Sequence, residues 1–396
     1  MHFHKVLASV VVTFLVFAFS QGRAQTTDPE SYKLFVSLEN APFDSLFLQD
    51  YTEGRNILIA GRKTKEFTWE ITIPKEIVWD SENMMLLATP YDPKRKSQEM
   101  IRFVTKKADR EVIVANVGVD GANNYIHGKY RDTVVYRNEP FMAKINDKDS
   151  LMIGNVICRD FDLIIKDAHS DIAVRAEEPF FSWFLDSQKE GNSYESTLAG
   201  YIELTKKHPD SRFLMSSLSR MLARYKSKED VRKIYDLFSG KHKNTRWAKN
   251  IERFLYTNKF PNTSLPPLHD TTARESIVQD TSKYNLVVFT ASWCRPCREE
   301  IPLLKKIQND LNKNLILTYV SIDEASGLKS YQKLIEESSI PWRSLLAWQD
   351  LKKIKSTYFI EGIPHNILVH PNGDMEKIDV RKDSDREMLY SKVNNP

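Results

Sequence analysis

The chain has 396 residues, with 57 basic and 53 acidic side chains, a net charge of +4 at pH 7 and three cysteines. This near-neutral balance argues against nucleic acid as a partner, and three cysteines are too few to staple a fold together. The length implies two or three domains, each stabilised by its own hydrophobic core.

The chain opens with His4 and Lys5 before an apolar run over 6–19. Small residues at Gly22 and Ala24 suit cleavage before Gln25, so 1–24 reads as a secretory signal peptide. An uncleaved anchor is the second reading, and the shortness of the run counts against it. Loss of 1–24 removes Lys5 and Arg23 and no acid, which leaves a net charge of +2. Nothing else in the chain is apolar for long enough to span a bilayer, so membrane association is expected to be peripheral or absent.

Residues 25–175 read as a β-rich domain. Short β-branched or aromatic segments at 33–38, 45–48, 67–73, 111–115 and 162–165 are separated by turn formers such as Asp120-Gly121 and Asn123-Asn124. This spacing suits an antiparallel sandwich or small barrel. No catalytic constellation stands out in it, and Cys158 reads as a buried free thiol.

Residues 176–259 read as a helical domain. Ser211 offers an N-cap before the apolar pattern Phe213, Leu214, Leu218, Met221, Leu222. Ser227 opens another helix carrying Val231, Ile234 and Tyr235, and Gly240 is expected to cap its C-terminus. A last helix is expected over 247–256. Four helices raise the question of a repeat, but no fixed period is present. Residues 260–267, rich in Pro, Asn and Ser, read as a linker.

In 268–396 the decisive feature is Trp293-Cys294-Arg295-Pro296-Cys297. The apolar stretch 286–290 reads as a buried strand, and apolar residues recur at helical spacing over 298–307. The two thiols therefore sit where a strand turns into a helix. Cys294 lies near the helix N-terminus, where the helix dipole and free N–H groups favour a thiolate. A dithiol at this place can open and close as a Cys294–Cys297 disulfide, with Cys294 the nucleophile and Cys297 the resolving thiol. Cys294 is expected to be the more exposed of the two, with Arg295 adding positive charge. Pro296 suits the first helical turn, and Pro302 should kink the helix. Zinc would want four ligands, and neither a second C-x-x-C nor a His pair is present, so no metal is expected. Two thiolates could hold copper, but no further soft ligand stands nearby. A peroxidase would place Pro and Thr before its cysteine, where this chain has Val287 and Ala291. The remaining elements expected are strands at 315–322 and 342–346, helices at 330–337 and 351–358, and a hairpin over 368–380.

The Trp-Cys-x-Pro-Cys turn, followed by Gly362-Ile363-Pro364 opening a strand, resembles the thioredoxin fold. Within it the chain is most similar to the TlpA/ResA-like periplasmic thiol-disulfide oxidoreductases. The β-rich region resembles the domain that precedes thioredoxin-like domains in secreted Bacteroidetes proteins. The fold implied is multidomain: an N-terminal β-rich sandwich or barrel, a middle α-helical segment and a C-terminal α/β thioredoxin-like domain.

The resemblance implies a cis bond at Ile363-Pro364 against the dithiol, with the Ile363 backbone open to strand-like pairing with a peptide. It also implies that Glu300, in C-x-x-C-x-x-E-x-P, helps move the proton of Cys297. Thioredoxin itself keeps a buried Asp in the strand before its dithiol, and Val288 stands at that place here. Trp293 is expected beside the site, His365 as a half-buried structural residue and Asp323 as a cap.

The activity implied is reduction of protein disulfides without a bound cofactor, fed by an upstream electron donor, in the periplasm. Oxidation or isomerisation of disulfides is the alternative within the same chemistry. A non-enzymatic binding protein that uses the N-terminal domains is the alternative outside it.

Overall fold

The computed structural model describes residues 30–51, 56–81, 84–107, 110–145, 148–177 and 193–394. The expected signal peptide, 1–24, lies outside them. Among the described residues no helix is long and apolar enough to cross a membrane.

The N-terminal region is one large sheet. Its strands are β1 (Ser31–Glu39), β2 (Phe47–Asp50), β3 (Ile57–Ala60), β4 (Arg62–Lys65), β5 (Thr68–Pro74), β6 (Met84–Asp92), β7 (Ser97–Lys107), β8 (Arg110–Val114), β9 (Asn116–Val117), β10 (Asn123–Ile145) and β11 (Lys148–Ile164). They run in the order β3-β2-β6-β7-β11-β10-β1-β5-β4, with β8 on β7 and β9 on β6. The two ends of this path, β3 and β4, are joined in the chain by the single residue Gly61, so the sheet must curl round until its ends meet. Gly61 N donates to Leu46 O at 2.7 Å. A Cβ at this position would lie 3.0 Å from that oxygen and 3.2 Å from Ile71 Cγ1. Alternation along β1 turns Leu34, Val36 and Leu38 inward. There they meet Trp69, Ile71, Phe103 and Phe161 in one core.

The middle segment holds α2 (Asp171–Glu177), α3 (Tyr194–Lys207), α4 (Arg212–Arg220), α5 (Lys228–Tyr235) and α6 (Arg246–Tyr256), after an α1 (Lys75–Asp80) set among the strands. Ser193, Ser211, Ser227 and Thr245 each accept a backbone N–H three residues on, capping α3 to α6. Gly240 does not cap α5. That helix ends at Tyr235 with Asp236 as its cap, and Ser239 draws Gly240 into a new 3-10 turn by accepting from Lys241 N. The buried Arg212 ties α4 to the β-rich region. Its backbone N donates to Asp120 Oδ1 at 2.8 Å and its guanidinium donates to Val78 O.

The C-terminal region contains β12 (Ser264–Leu265), β13 (Glu275–Ser276), β14 (Tyr284–Thr290), α7 (Arg295–Leu311), β15 (Leu315–Ser321), α8 (Leu328–Glu337), β16 (Arg343–Leu346), α9 (Leu351–Thr357), β17 (His365–Val369), β18 (Met375–Ile378) and α10 (Asp383–Asn394). Five strands form the sheet β16-β15-β14-β17-β18. The pairs β16-β15 and β15-β14 are parallel, and β14-β17 and β17-β18 antiparallel. Every residue of β14 is buried, as befits a central strand covered on both faces. Val287 and Phe289 face one apolar layer, which also contains Cys294 and Cys297. Leu286 and Val288 face the other, with Leu304 and Ile307 of α7.

The stretch 260–267, expected as a linker, lies against this region instead of spanning a gap. Phe260 and Leu265 are buried in the cysteine-containing layer. Phe260 N donates to Gly373 O, and Leu346 N to Pro266 O. Composition does not reveal this, because two buried apolar side chains suffice to dock a Pro-rich strand.

Candidate active site

Cys294 is the N-cap of α7, and its Sγ accepts the N–H of Cys297 at 3.2 Å. The two sulfurs are bonded as a disulfide, with Cα atoms 5.3 Å apart. Pro296 sits in the first turn, where a missing N–H leaves nothing unpaired. The helix continues through Pro302 to Leu311. Cys294 and Cys297 are both 3% exposed, so the expected difference in exposure is absent: both sulfurs are packed into the apolar layer of Val287, Phe289, Ile360 and partly buried Ile363. The Ile363–Pro364 bond is cis and leads directly into β17.

The turn before Cys294 is fixed at every polar atom of Ser292. Its N–H donates to Asp323 Oδ2 at 2.9 Å and its hydroxyl donates to Asp323 Oδ1. Its carbonyl accepts from Arg298 Nε at 3.1 Å. Asp323, just beyond β15, also accepts from Ser321 Oγ at 2.8 Å. The residue expected as a simple cap is therefore the brace between β15 and the dithiol turn.

One helical turn after Cys297, on the same face of α7, Glu300 is completely buried. Its Oε1 accepts from Asn366 Nδ2 at 2.8 Å. Its Oε2 has no hydrogen-bond partner among the described residues. Burial pushes the carboxyl up to about 7, against an opposing pull from Asn366 and Arg381. His365 is buried rather than half-buried, and burial, with Lys377 nearby, pushes it down to about 3, so it is neutral.

Residues 282–375 match the thioredoxin-like family. This segment is a thioredoxin-like domain. The thioredoxin-like protein YneN of Bacillus subtilis is 27% identical over 116 residues, which cover 29% of this chain and 66% of that protein. The chain thus spans just under two thirds of that relative. Among solved structures, the thioredoxin domain of a thiol-disulfide oxidoreductase from Bacteroides vulgatus is 30% identical, over 34% of this chain and 95% of that one, with a TM-score of 0.31. A thiol:disulfide interchange protein from Bacteroides sp. is 30% identical over 35% of this chain and 90% of that one, with a TM-score of 0.32.

Around the dithiol of the thioredoxin-like domain, Trp293 is 65% exposed. Its ring is on the surface rather than packed beside the sulfurs. Arg295 is 90% exposed at its side chain and pairs with Glu299 at 2.9 Å, pointing away along the helix. Cys158 is buried in the β-rich region, far in sequence from the Cys294–Cys297 pair.

Two features were not foreseen. Asn366 is the partner of Glu300, and only the register of β17 on β14 reveals it. Glu361, just before the cis peptide, reaches the helical segment: Oε1 accepts from Ala223 N at 3.2 Å, and Oε2 lies 3.8 Å from Arg224 Nε. Lys377 donates to Ala223 O beside it. Burial pushes Glu361 up to about 7. No local sequence signal marks a contact over such a separation.

Proposed function

We propose that this chain is a secreted thiol-disulfide oxidoreductase that reduces disulfides of protein substrates in the periplasm. The observation that carries the reading is the Cys294–Cys297 disulfide capping α7, beside the strand that opens at cis-Pro364. In the proposed cycle the Cys294 thiolate attacks a substrate disulfide and forms a mixed disulfide. Cys297 then attacks Cys294 and releases the substrate as a dithiol. Glu300 takes the proton that Cys297 must lose. Trp293, Ile363 and Pro364 form the face on which a substrate peptide docks, with the Ile363 backbone pairing strand-like. An upstream dithiol donor resets the disulfide.

Secretion is supported by the apolar run and small residues of 1–24. The reductive direction is supported by Arg295-Pro296 between the thiols. The proposed division into a β-rich region to 175, a helical segment to 259 and a thioredoxin-like domain from 268 leaves the first two as candidates for substrate delivery.

The test is the reduction potential of the Cys294–Cys297 couple in the mature protein. A value near roughly −270 mV supports a donor-fed reductase, whereas one near roughly −120 mV makes the protein an oxidant. Cys294→Ser should abolish disulfide reduction, and retained activity would end the proposal.

A further inference from the structure

The geometry points to Asn366 as the positioning residue that holds Glu300 in its acid form, giving it one hydrogen bond and taking one from it. The inference rests on the dithiol cycle proposed above. Three observations carry it. Asn366 Nδ2 donates to Glu300 Oε1 at 2.8 Å. Glu300 Oε2 and Asn366 Oδ1 are both buried and both without a partner among the described residues. The two residues are 0% and 2% exposed, so water does not reach the pair readily.

With Glu300 ionised, those two orphaned atoms are both acceptors, and two buried acceptors left unpaired are costly. A proton on Oε2 removes the conflict. The carboxyl then presents one donor and one acceptor, and so does the primary amide facing it. A Leu at 366 could offer neither bond.

The register explains why the amide comes from this strand. Asn366 of β17 lies directly opposite Val288 of β14, the place at which thioredoxin carries its buried acid. Val288 lies in the apolar layer with Leu304 of α7, so the polar contact to α7 is made one strand over.

Every neighbouring element bears on the same carboxyl. Cys297 lies one turn back on α7. Tyr319 of β15 senses its charge. The N–H that Asn366 gives Oε1 favours the ionised form, as does Arg381 from the turn after β18, and Asp379 opposes it. Burial outweighs these, and the carboxyl rises to about 7.

In the cycle, Cys294 sulfur bonds to one substrate sulfur, and the other leaves as a thiolate that takes a proton from solvent. Cys297 passes its proton to Glu300 Oε2 and its sulfur bonds to Cys294. The Cys294–substrate bond breaks, and the second substrate sulfur leaves as a thiolate. Two electrons have moved from the dithiol to the substrate, and the proton rests between Glu300 and Asn366. Reduction by the donor dithiol reverses this, and Glu300 returns the proton to Cys297.

The test is redox infrared difference spectroscopy on the full chain, with Glu300→Gln and Asn366→Leu as variants. On oxidation at mildly acidic pH the wild type should gain a hydrogen-bonded carboxylic-acid C=O band that Glu300→Gln lacks. In Asn366→Leu that band should move to the higher wavenumber of an acid without hydrogen bonds, and release of the mixed disulfide should slow about tenfold or more. Should Asn366→Leu not fold, the isosteric Asn366→Asp serves. Its second carboxyl shares the proton, so the band should persist to higher pH than in the wild type. A Glu300-dependent band that neither variant moves, or no such band in the oxidised wild type, overturns the inference. Failure of the cycle itself would show differently, as undiminished disulfide reduction by Cys294→Ser.

Discussion

At the scale of single residues, Glu300 does two things at once, because the burial that readies it to hold a proton also makes its charge a burden on the fold. Its carboxyl is raised from an ordinary 4.5 to about 7, as is that of Glu361. Both bind a proton more tightly folded than unfolded. Their contribution to stability is therefore complete below about 4.5 and lost as pH rises through 7. The unfolding midpoint of the oxidised protein should fall by a few degrees between mildly acidic and mildly alkaline pH. Glu300→Gln should remove part of that slope. An equal slope in the variant would show that Glu300 is solvated. The same substitution should slow disulfide reduction by roughly a hundredfold near neutral pH, the lower end for loss of a proton-transfer group, as measured by the rate of mixed-disulfide release. Cys294, Cys297, Glu300 and Pro364 were legible in the sequence because their placing is local: a C-x-x-C on a strand–helix turn, a residue one turn on, a proline opening a strand. Asn366 was not, because its meaning depends on which residue of β14 it faces.

At the scale of elements, the dithiol turn is held from outside its own segment. Asp323 lends its carboxylate to the N–H and hydroxyl of Ser292 and to Ser321, all buried. Asp323→Ala should cost about 3 kcal/mol, since hydrogen bonds to a charged group are the stronger kind. It should also speed alkylation of reduced Cys294 as the turn loosens, and both are readable by thermal unfolding and thiol labelling. Gly61 is the counterpart in the β-rich region. Gly61→Val puts atoms where Leu46 O and Ile71 already stand and should cost about 1–3 kcal/mol of stability with no effect on the dithiol. The strands with clean alternation or β-branched runs, β1, β5 and β8, could be read in advance. The strands β6, β7 and β10 could not. β7, for one, buries Arg102, paired at 2.7 Å with Asp160 of the neighbouring β11, a charged residue where pattern reading expects an apolar one.

At the scale of the whole molecule, the helical segment is fastened on both sides. Arg212 reaches the β-rich region through Asp120, in the loop before β10, and Val78 of α1. On the other side Phe359 of the thioredoxin-like domain is buried within the helical core, edge-on to Phe254 at 5.1 Å. Arg253 stacks over the same ring at 4.8 Å and donates to Ser356 O at 2.9 Å. Phe359→Ala should cost about 3 kcal/mol at this junction. In calorimetry it should separate melting of the helices from that of the thioredoxin-like domain, where the wild type melts them together.

Phe359 also bears on how freely these parts can be exchanged. A chain that joined another redox domain to these helices would leave a ring-sized hole beside Phe254 unless an aromatic stood at the same place. It would also strip Glu361, three residues before cis-Pro364, and Lys377 from Ala223. The redox domain is in that sense no interchangeable cassette. Swapping it alters the foundation of the loop at cis-Pro364, so the seam with the helices bears on the surroundings of the sulfurs.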